Sequence, residues 1–264
     1  MSQTKISAVI IAQNNAAIIE RCLRSLQFVD EIVVVDALSH DGTPDIARRW
    51  GARVVSSPWP GWAEQFQFAI DQAKGEWVFR CDTDEEVPEA LAREIRETIN
   101  QSTAADGYRV KRKNQFLGEW IEVGPWTDDY ETRLYKNGRA RIAPASVHMG
   151  EVVNGTVRTL KSQLHHYAHT TIRESVWRMN WYTTLESRDR VDRRKIYLID
   201  AFVPPFGVFV NYFFRKGCWR AGVRGFLLSA ITAMYKSVLY IKIYLLQRSF
   251  TKAPDRSFHT TDIV

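Results

Sequence analysis

A chain of 264 residues, 45% hydrophobic and 25% charged, is long enough to bury a real core and too apolar to be a disordered polymer. Its three cysteines, Cys22, Cys81 and Cys218, are odd in number and far apart, which excludes a disulfide framework and a paired-cysteine metal site and points to a reducing compartment. The net charge of +6 is uneven: Arg188 to Arg248 carries twelve Lys/Arg against three Asp, a net of +9, so the remainder sums to −3.

The first residues show no apolar signal core, so the catalytic part is expected to stay in the cytoplasm. Ile6 to Ala12 is a β-branched apolar run of the kind buried on both faces of a sheet. Asn14 and Asn15 are placed to cap a following helix whose apolar stripe is Ile18, Ile19, Cys22, Leu23 and Leu26. Glu31 to Asp36 reads as a second strand ending in an acid. Thr43 is the expected cap of the next helix, with Pro44 at its first position and Gly51 as its stop. Arg53 to Ser56 is a third strand, Ala63 to Ala73 a helix ended by Gly75, and Glu76 to Cys81 a fourth strand running into Asp82-Thr83-Asp84-Glu85-Glu86. Pro88 opens a helix to about Asn100. This alternation predicts a doubly wound, mainly parallel α/β sheet, in which ligands bind beyond the carboxyl ends of the strands, where Asp36, Asp82 and Asp84 fall. After Asp106 the rhythm turns mixed and loop-rich, with strands expected at Tyr108 to Leu117 and Thr132 to Tyr135. From about Thr171 it becomes helical. Phe202 to Phe214 and Gly225 to Leu246 are apolar and aromatic, but Lys236 and Lys242 interrupt the second stretch, so no uninterrupted run of ~20 apolar residues is expected. The mixture of Trp, Tyr, Lys and Arg suits helices lying in a membrane interface.

Two carboxylates one residue apart at a strand end suit Mg²⁺ or Mn²⁺, which bridge phosphates. Taken alone, Asp82 and Asp84 read equally well as a solvated acidic turn before a helix, where acids are favoured. Asp36, followed by Ser39 and Asp41-Gly42-Thr43, is suited to accept hydrogen bonds from a base or ribose, and taken alone it reads better as part of a capping loop. Two acid-tipped strands in one α/β unit strengthen the functional reading of both.

The segments SAVIIAQNN, EIVVVDALSHDGTPDIARRWGARV, GEWVFRCDTDEEV, DGYRVKRKNQFLGEWI, WTDDYETRLYKNGRARI, VHMGE and LHHYAH together resemble the family 2 glycosyltransferases of GT-A fold, nearest to bacterial lipopolysaccharide inner-core β-1,4-glucosyltransferases. The resemblance runs from about residue 5 to 185. It implies a Rossmann-like GT-A catalytic domain over 1–185, while the charge and apolar pattern make 186–264 a basic, apolar helical extension that packs on it or lies at a membrane surface. It implies an inverting transfer from a UDP-sugar with Mg²⁺ or Mn²⁺: Asn14, Asp36, Asp82 and Arg133 on the donor, and Asp82, Asp84 and His148 on the cation. For the general base it points to Asp129, with adjacent Asp128 and Glu151 as rivals. Two departures stand out. The family's Asn-Glu after the first strand is Asn14-Asn15 here, and Met149 and Gly150 separate His148 from Glu151.

His165, His166 and His169 are read as acceptor-side or structural, and Trp59, Trp62, Trp120 and Trp126 as sugar-stacking loop residues or core. The basic C-terminal part, bracketing apolar stretches, predicts an anionic membrane surface and a lipid-linked saccharide acceptor at the inner face of the plasma membrane, with nucleic acid excluded as a partner. A nucleotidyltransferase would need a glycine-rich phosphate loop where Gln13-Asn14-Asn15-Ala16 stands, and an aspartyl-phosphate phosphatase would carry its aspartates on the first strand. A non-enzymatic membrane-surface scaffold would have no use for the strand-end acids.

Overall fold

A computed structural model describes residues 4–143 and 150–248, divided into two compact units, the first ending at Glu174 and the second beginning at Ser175. In the first unit, β1 (Ile6–Ala12) is buried at every position, as a two-sided strand requires. It pairs in parallel with β2 (Glu31–Asp36) on one side and β4 (Trp77–Arg80) on the other, and β3 (Arg53–Ser56) extends the sheet beyond β2. The order continues from β4 through β8 (Tyr130–Lys136), β6 (Gly107–Phe116) and β11 (Val157–His169) to β5 (Glu85–Glu86), with β7 (Glu119–Ile121) on β6. Strand β8 is antiparallel to both β4 and β6, while β11 is parallel to β6. A separate hairpin joins β9 (Ala140–Ile142) and β10 (Glu151–Val153).

Alternation along β1 sorts the core. Ile6, Ala8 and Ile10 face one layer with Ile19, Cys22 and Leu23 of α1 (Ile19–Ser25), Ala47 of α2 (Thr43–Arg49) and Leu91, Ile95 and Ile99 of α4 (Glu89–Ile99). Val9 and Ile11 face the other, against Phe66, Ala69 and Ile70 of α3 (Trp62–Asp71). Leu91, Ile95 and Ile99 recur every fourth residue, the spacing that lines one helix face. Each such side chain, fully buried, is worth roughly 1.5–3 kcal/mol. The result is the α/β architecture expected from the strand–helix alternation, a parallel β3-β2-β1-β4 block between helical layers, with antiparallel β8 beyond it, as the GT-A resemblance implies.

Local details differ from expectation where a side chain found a better partner. Neither Asn14 nor Asn15 caps α1; the backbone carbonyl of Asn15 accepts from Ile18 and Ile19, while its side chain takes the amide of Gln13. Gly42, with φ 82°, stands before α2, because the Thr43 hydroxyl is engaged with Asp41.

The second unit contains most of α5 (Ile172–Arg190), then α6 (Val203–Val210), a π-helical turn over Asn211–Arg215, a 3₁₀ turn over Cys218–Ala221 and α7 (Gly222–Gln247). Lys236 and Lys242 do interrupt α7, and with them Cys218–Gln247 is still long and apolar enough by length and composition to cross a membrane.

Candidate active site

The parallel strands deliver their acids to one edge. Asp36 pairs with Ala12 in register and Arg80 with Val9, so the turn that follows Arg80 leaves the sheet near the same level as Asp36. With β1 between them, the backbones of β2 and β4 lie about 10 Å apart. Asp36 is 2% exposed; its Oδ2 accepts from the Ser39 amide at 3.0 Å, and its Oδ1 is buried with no hydrogen-bond partner. A buried carboxylate oxygen left unsatisfied is costly unless something supplies a donor.

The loops after β1 and β2 are laced together at this edge. The Asn14 amide donates to Ser39 Oγ and its Oδ1 accepts from His40, the Asn15 amide donates to Thr43 Oγ1, and the Ala16 amide donates to Asp41. Burial works to raise the Asp41 carboxyl, but the bonds from Thr43 and Ala16 hold it below the usual range. Asn14 and Leu38 both sit in the left-handed region, at φ 52° and 58°. Backbone strain of this kind collects at binding sites.

Asp82-Thr83-Asp84 forms a turn closed by the Glu85 amide donating to the Asp82 carbonyl, while Glu85 Oε2 accepts from the Asp82 amide at 2.9 Å. Glu85 is fully buried, and burial pushes its carboxyl up. Its other oxygen pairs with Arg133, whose Nη2 also holds Asp82 Oδ2 at 2.7 Å. Arg80 Nη1 reaches Asp82 Oδ1 at 3.2 Å, and Arg80 Nε pairs with Glu151. Burial opposes ionisation of Asp82, yet Arg133 and Arg80 outweigh it and keep the carboxyl low. Arg133 therefore belongs to the interior, and neither its Nε nor its Nη1 has a hydrogen-bond partner.

On the β6 side, Arg112 grips Asp129 through Nη2–Oδ1 at 2.9 Å and Nε–Oδ2 at 3.1 Å. Asn114, fully buried, donates from Nδ2 to Asp129 Oδ2 at 2.7 Å, which turns its Oδ1 toward His166 Nδ1, 2.6 Å away. Burial raises the Asp129 carboxyl, but the Arg112 charge and the bonds from Arg112 and Asn114 bring it below the ordinary range. His166 Nδ1 faces Asn114 Oδ1, which leaves Nε2 as the ring nitrogen turned to Asp84 Oδ1, 3.7 Å away. A carboxylate oxygen and an imidazole nitrogen are the donor types that bind one divalent cation. Among the described residues no three His, Cys, Asp or Glu converge as a complete cage. Asp84 with His166 thus fits a cation that takes its remaining ligands from substrate or water.

The structure brings together Asp82, Arg133 and Glu151 through the Arg80–Glu85–Arg133 network, and Asp84 and Asp129 through the Asn114–His166 link. Asn14 and Asp36 lie at the ends of β1 and β2. Asp128 is exposed beside Asp129, and the Glu151 side chain is 1% exposed with Oε2 unpartnered. His148 lies outside the described residues. Sequence reasoning passed over Arg80, Glu85, Arg112 and Asn114. Arg80 left a signal, as the lone charge in the strand Trp77–Arg80; Glu85 was lost in an acidic run. The histidines occupy β11, where neighbours face opposite ways: His165 packs on Trp120 with ring centroids 4.7 Å apart while His166 turns to Asp84. Trp59 and Trp62 pack together, centroids 4.8 Å apart, against the α3-side core, and Trp126 against Phe116.

Residues 7–151 match the family described as Glycosyl transferase family 2. The chain is 33% identical over 258 residues to the lipopolysaccharide core biosynthesis glycosyltransferase LpsC of Rhizobium meliloti, covering 94% of each protein. It is 32% identical to an uncharacterized glycosyltransferase of Rickettsia bellii, covering 90% of this chain and 86% of that one. A crystal structure of glucosyl-3-phosphoglycerate synthase from Mycobacterium tuberculosis with Mn2+, UDP and glucosyl-3-phosphoglycerate is 28% identical over 42% of this chain and 44% of that chain, at a TM-score of 0.36. Agreement of that extent transfers no ligand position.

Proposed function

The chain belongs to glycosyl transferase family 2, as an enzyme related to a lipopolysaccharide core transferase, and from there we propose that it moves glucose from UDP-glucose to a lipid-linked glycan of the inner-core type. The observation that carries this reading is the pair of acid-tipped strands flanking β1. One ends on Asp36 with a buried, unpartnered oxygen, and the other runs into Asp82-Thr83-Asp84. Asp36 accepts a hydrogen bond from the uracil or ribose, with Asn14 beside it. Asp82 lies at the ribose and cation side.

Asp84 and His166 are the residues that would hold Mg²⁺ or Mn²⁺, with Asp82 adjoining; His148 is the alternative further ligand. Held there, the cation would supply positive charge for the departing diphosphate. Arg133 and Arg80 stand behind Asp82 and add to that charge.

The acceptor hydroxyl oxygen forms a bond to the anomeric carbon as the bond from that carbon to the diphosphate oxygen breaks, inverting the centre. Its proton passes to Asp129. Oδ1 of Asp129 takes one bond, from Arg112, and so keeps a lone pair for it. Asp128, exposed next door, is the rival base; Glu151, deeply buried against Arg80, is the second. The acceptor is met at the cytoplasmic face of the inner membrane.

UDP release from UDP-glucose, UDP-galactose and UDP-N-acetyl sugars, with and without Mn²⁺, tests the donor and the cation together. UDP-glucose with Mn²⁺ is expected to lead. Equal turnover in chelator, or no turnover of any UDP-sugar, sinks the reading.

A further inference from the structure

The second unit carries a surface that the transfer reaction does not use. Residues 201–248 contain seven Lys/Arg and no Asp or Glu. Within them and just before, large apolar side chains stand in the open: Ile199 62%, Phe202 62%, Val203 61%, Phe206 71%, Phe214 59% and Val223 75% exposed. They belong to one packed feature. Phe209 and Phe213 stack at 5.4 Å and both meet the Phe226 ring, at 5.6 and 6.0 Å, so α6 and the π-helical turn are fastened to the start of α7. Gly225 lets α7 approach the preceding turn: a Cβ there would fall 1.8 Å from the Cys218 carbonyl oxygen. Exposed bases accompany the feature, among them Arg215, Lys216 and Arg220.

An apolar cap accompanied by cations could dip into a bilayer in plane, or α7 could cross it. The polar contacts of α7 decide between these. Lys242 Nζ is held by the Asn180 carbonyl at 2.6 Å and by Thr183 and Thr184 of α5 at 2.8 and 2.7 Å. Tyr235 donates to Glu186, which also pairs with Arg190 at 2.7 Å, and Gln247 donates to the Val191 carbonyl at 2.6 Å. A bilayer around α7 would take Glu186 and Arg190 into hydrocarbon, which is expensive. At the other end of α7, Val223 and Phe226 project at 75% and 49% exposure.

We infer that the chain docks monotopically on an anionic lipid surface, inserting the cap around Phe202, Phe206, Phe214 and Val223 while α5 and the far end of α7 stay in water. The bilayer is favoured over a protein partner because the exposed cations Arg215, Lys216 and Arg220 beside the cap match anionic headgroups, its one neighbouring acid, Asp200, is already paired with Arg194, and the cap itself is aromatic and aliphatic. This deepens the reading of a lipid-linked acceptor but stands on the second unit alone.

Flotation of the full-length protein with phosphatidylcholine vesicles, with and without phosphatidylglycerol, tests it. Binding is expected only with the anionic lipid, released by alkaline carbonate, and weakened about 10-fold between physiological and molar salt. The triple variant Phe202→Ser/Phe206→Ser/Val223→Ser is expected to lose about 100-fold in partition while keeping its circular dichroism and UDP release. A second variant, Arg215→Gln/Lys216→Gln/Arg220→Gln, should lose binding with no apolar change. Resistance to carbonate would mean that α7 spans the membrane, and the inference fails. It fails too if both variants float like the parent, or if vesicles are ignored and the apolar variant instead breaks a dimer. Loss of docking with UDP release intact refutes nothing about the active site, and the reverse result leaves docking standing.

Discussion

Replacing Arg133 with Met separates an arginine that supports the acids from one that merely decorates a strand. The side chain is 1% exposed and its Nη2 serves both Asp82 and Glu85. Methionine fills most of the volume and removes the charge. Glu85, fully buried, would keep the Asp82 amide at 2.9 Å, with the Arg112 guanidinium no nearer than 3.9 Å. Stripping one partner from a buried pair costs about 3–5 kcal/mol, because a charge is stranded. Asp82, 28% exposed, contributes the smaller part because water screens it. Against a total stability of roughly 5–15 kcal/mol, such a loss is large. Adding Glu85→Gln removes the stranded charge and should return at least ~2 kcal/mol, appearing as a coupling between the two sites. The pH dependence follows from burial, which already raises the Glu85 carboxyl above its ordinary value. An acid with a raised folded pKa favours the fold below its unfolded pKa, and that advantage is lost as pH rises through the folded value. The Arg133→Met deficit should therefore be greatest at pH 8 and shrink toward pH 5. Hydrogen exchange of β4 and β8 peptides reads the first unit without interference from the helices of the second. A deficit under ~1 kcal/mol, or no recovery with Glu85→Gln, refutes the reasoning.

Asp84→Ala should lower turnover by ~10³-fold or more, equal to ~4 kcal/mol of transition-state stabilisation, and abolish tight Mn²⁺ binding in a titration; near-normal transfer with metal present removes Asp84 from the role. Asn114→Leu removes the acceptor facing Nδ1 of His166, so nitrogen NMR of the metal-free protein should show the ring leaving its single tautomer, and Mn²⁺ affinity should fall ~10–100-fold. Asp129→Asn should cut kcat by ~10³-fold with donor KM little changed, whereas Asp128→Asn should not. Because Arg112 and Asn114 hold the Asp129 carboxyl low, the base stays ionised well into acid; activity should be lost only as pH falls through that depressed value, and Arg112→Gln should move the acid limb of kcat/KM upward.

The strand–helix alternation was legible because periodicity is local. Two-sided burial leaves a continuous apolar run such as Ile6–Ala12, and a helix on one face leaves Leu91, Ile95 and Ile99 four apart. Asp36 and Asp82 could be assigned to one edge because parallel strands must carry their ends to the same side. The cap readings at Asn15 and Thr43 failed for a related reason: a short polar side chain has several partners within reach, and here the neighbouring loop outbid the helix end.

What the residues decide in isolation is the class of chemistry: acids at strand ends, a basic and apolar C-terminal part, and a chain without a cysteine framework. What only the tertiary structure decided is who answers those acids. Arg133 lies 51 residues from Asp82, Asn114 lies 52 from His166, and no periodicity reports such separations. Antiparallel β8 slots between β4 and β6, bringing Arg133 beside Arg80 and Asp129 beside Arg112, and burial then makes each pairing obligatory. The second unit follows the same rule. Lys242 interrupts the apolar run of α7 in the sequence, and only the fold supplies its partners, Asn180 and Thr183 on α5, because a charge is judged by its neighbours in space, which the order of residues does not state.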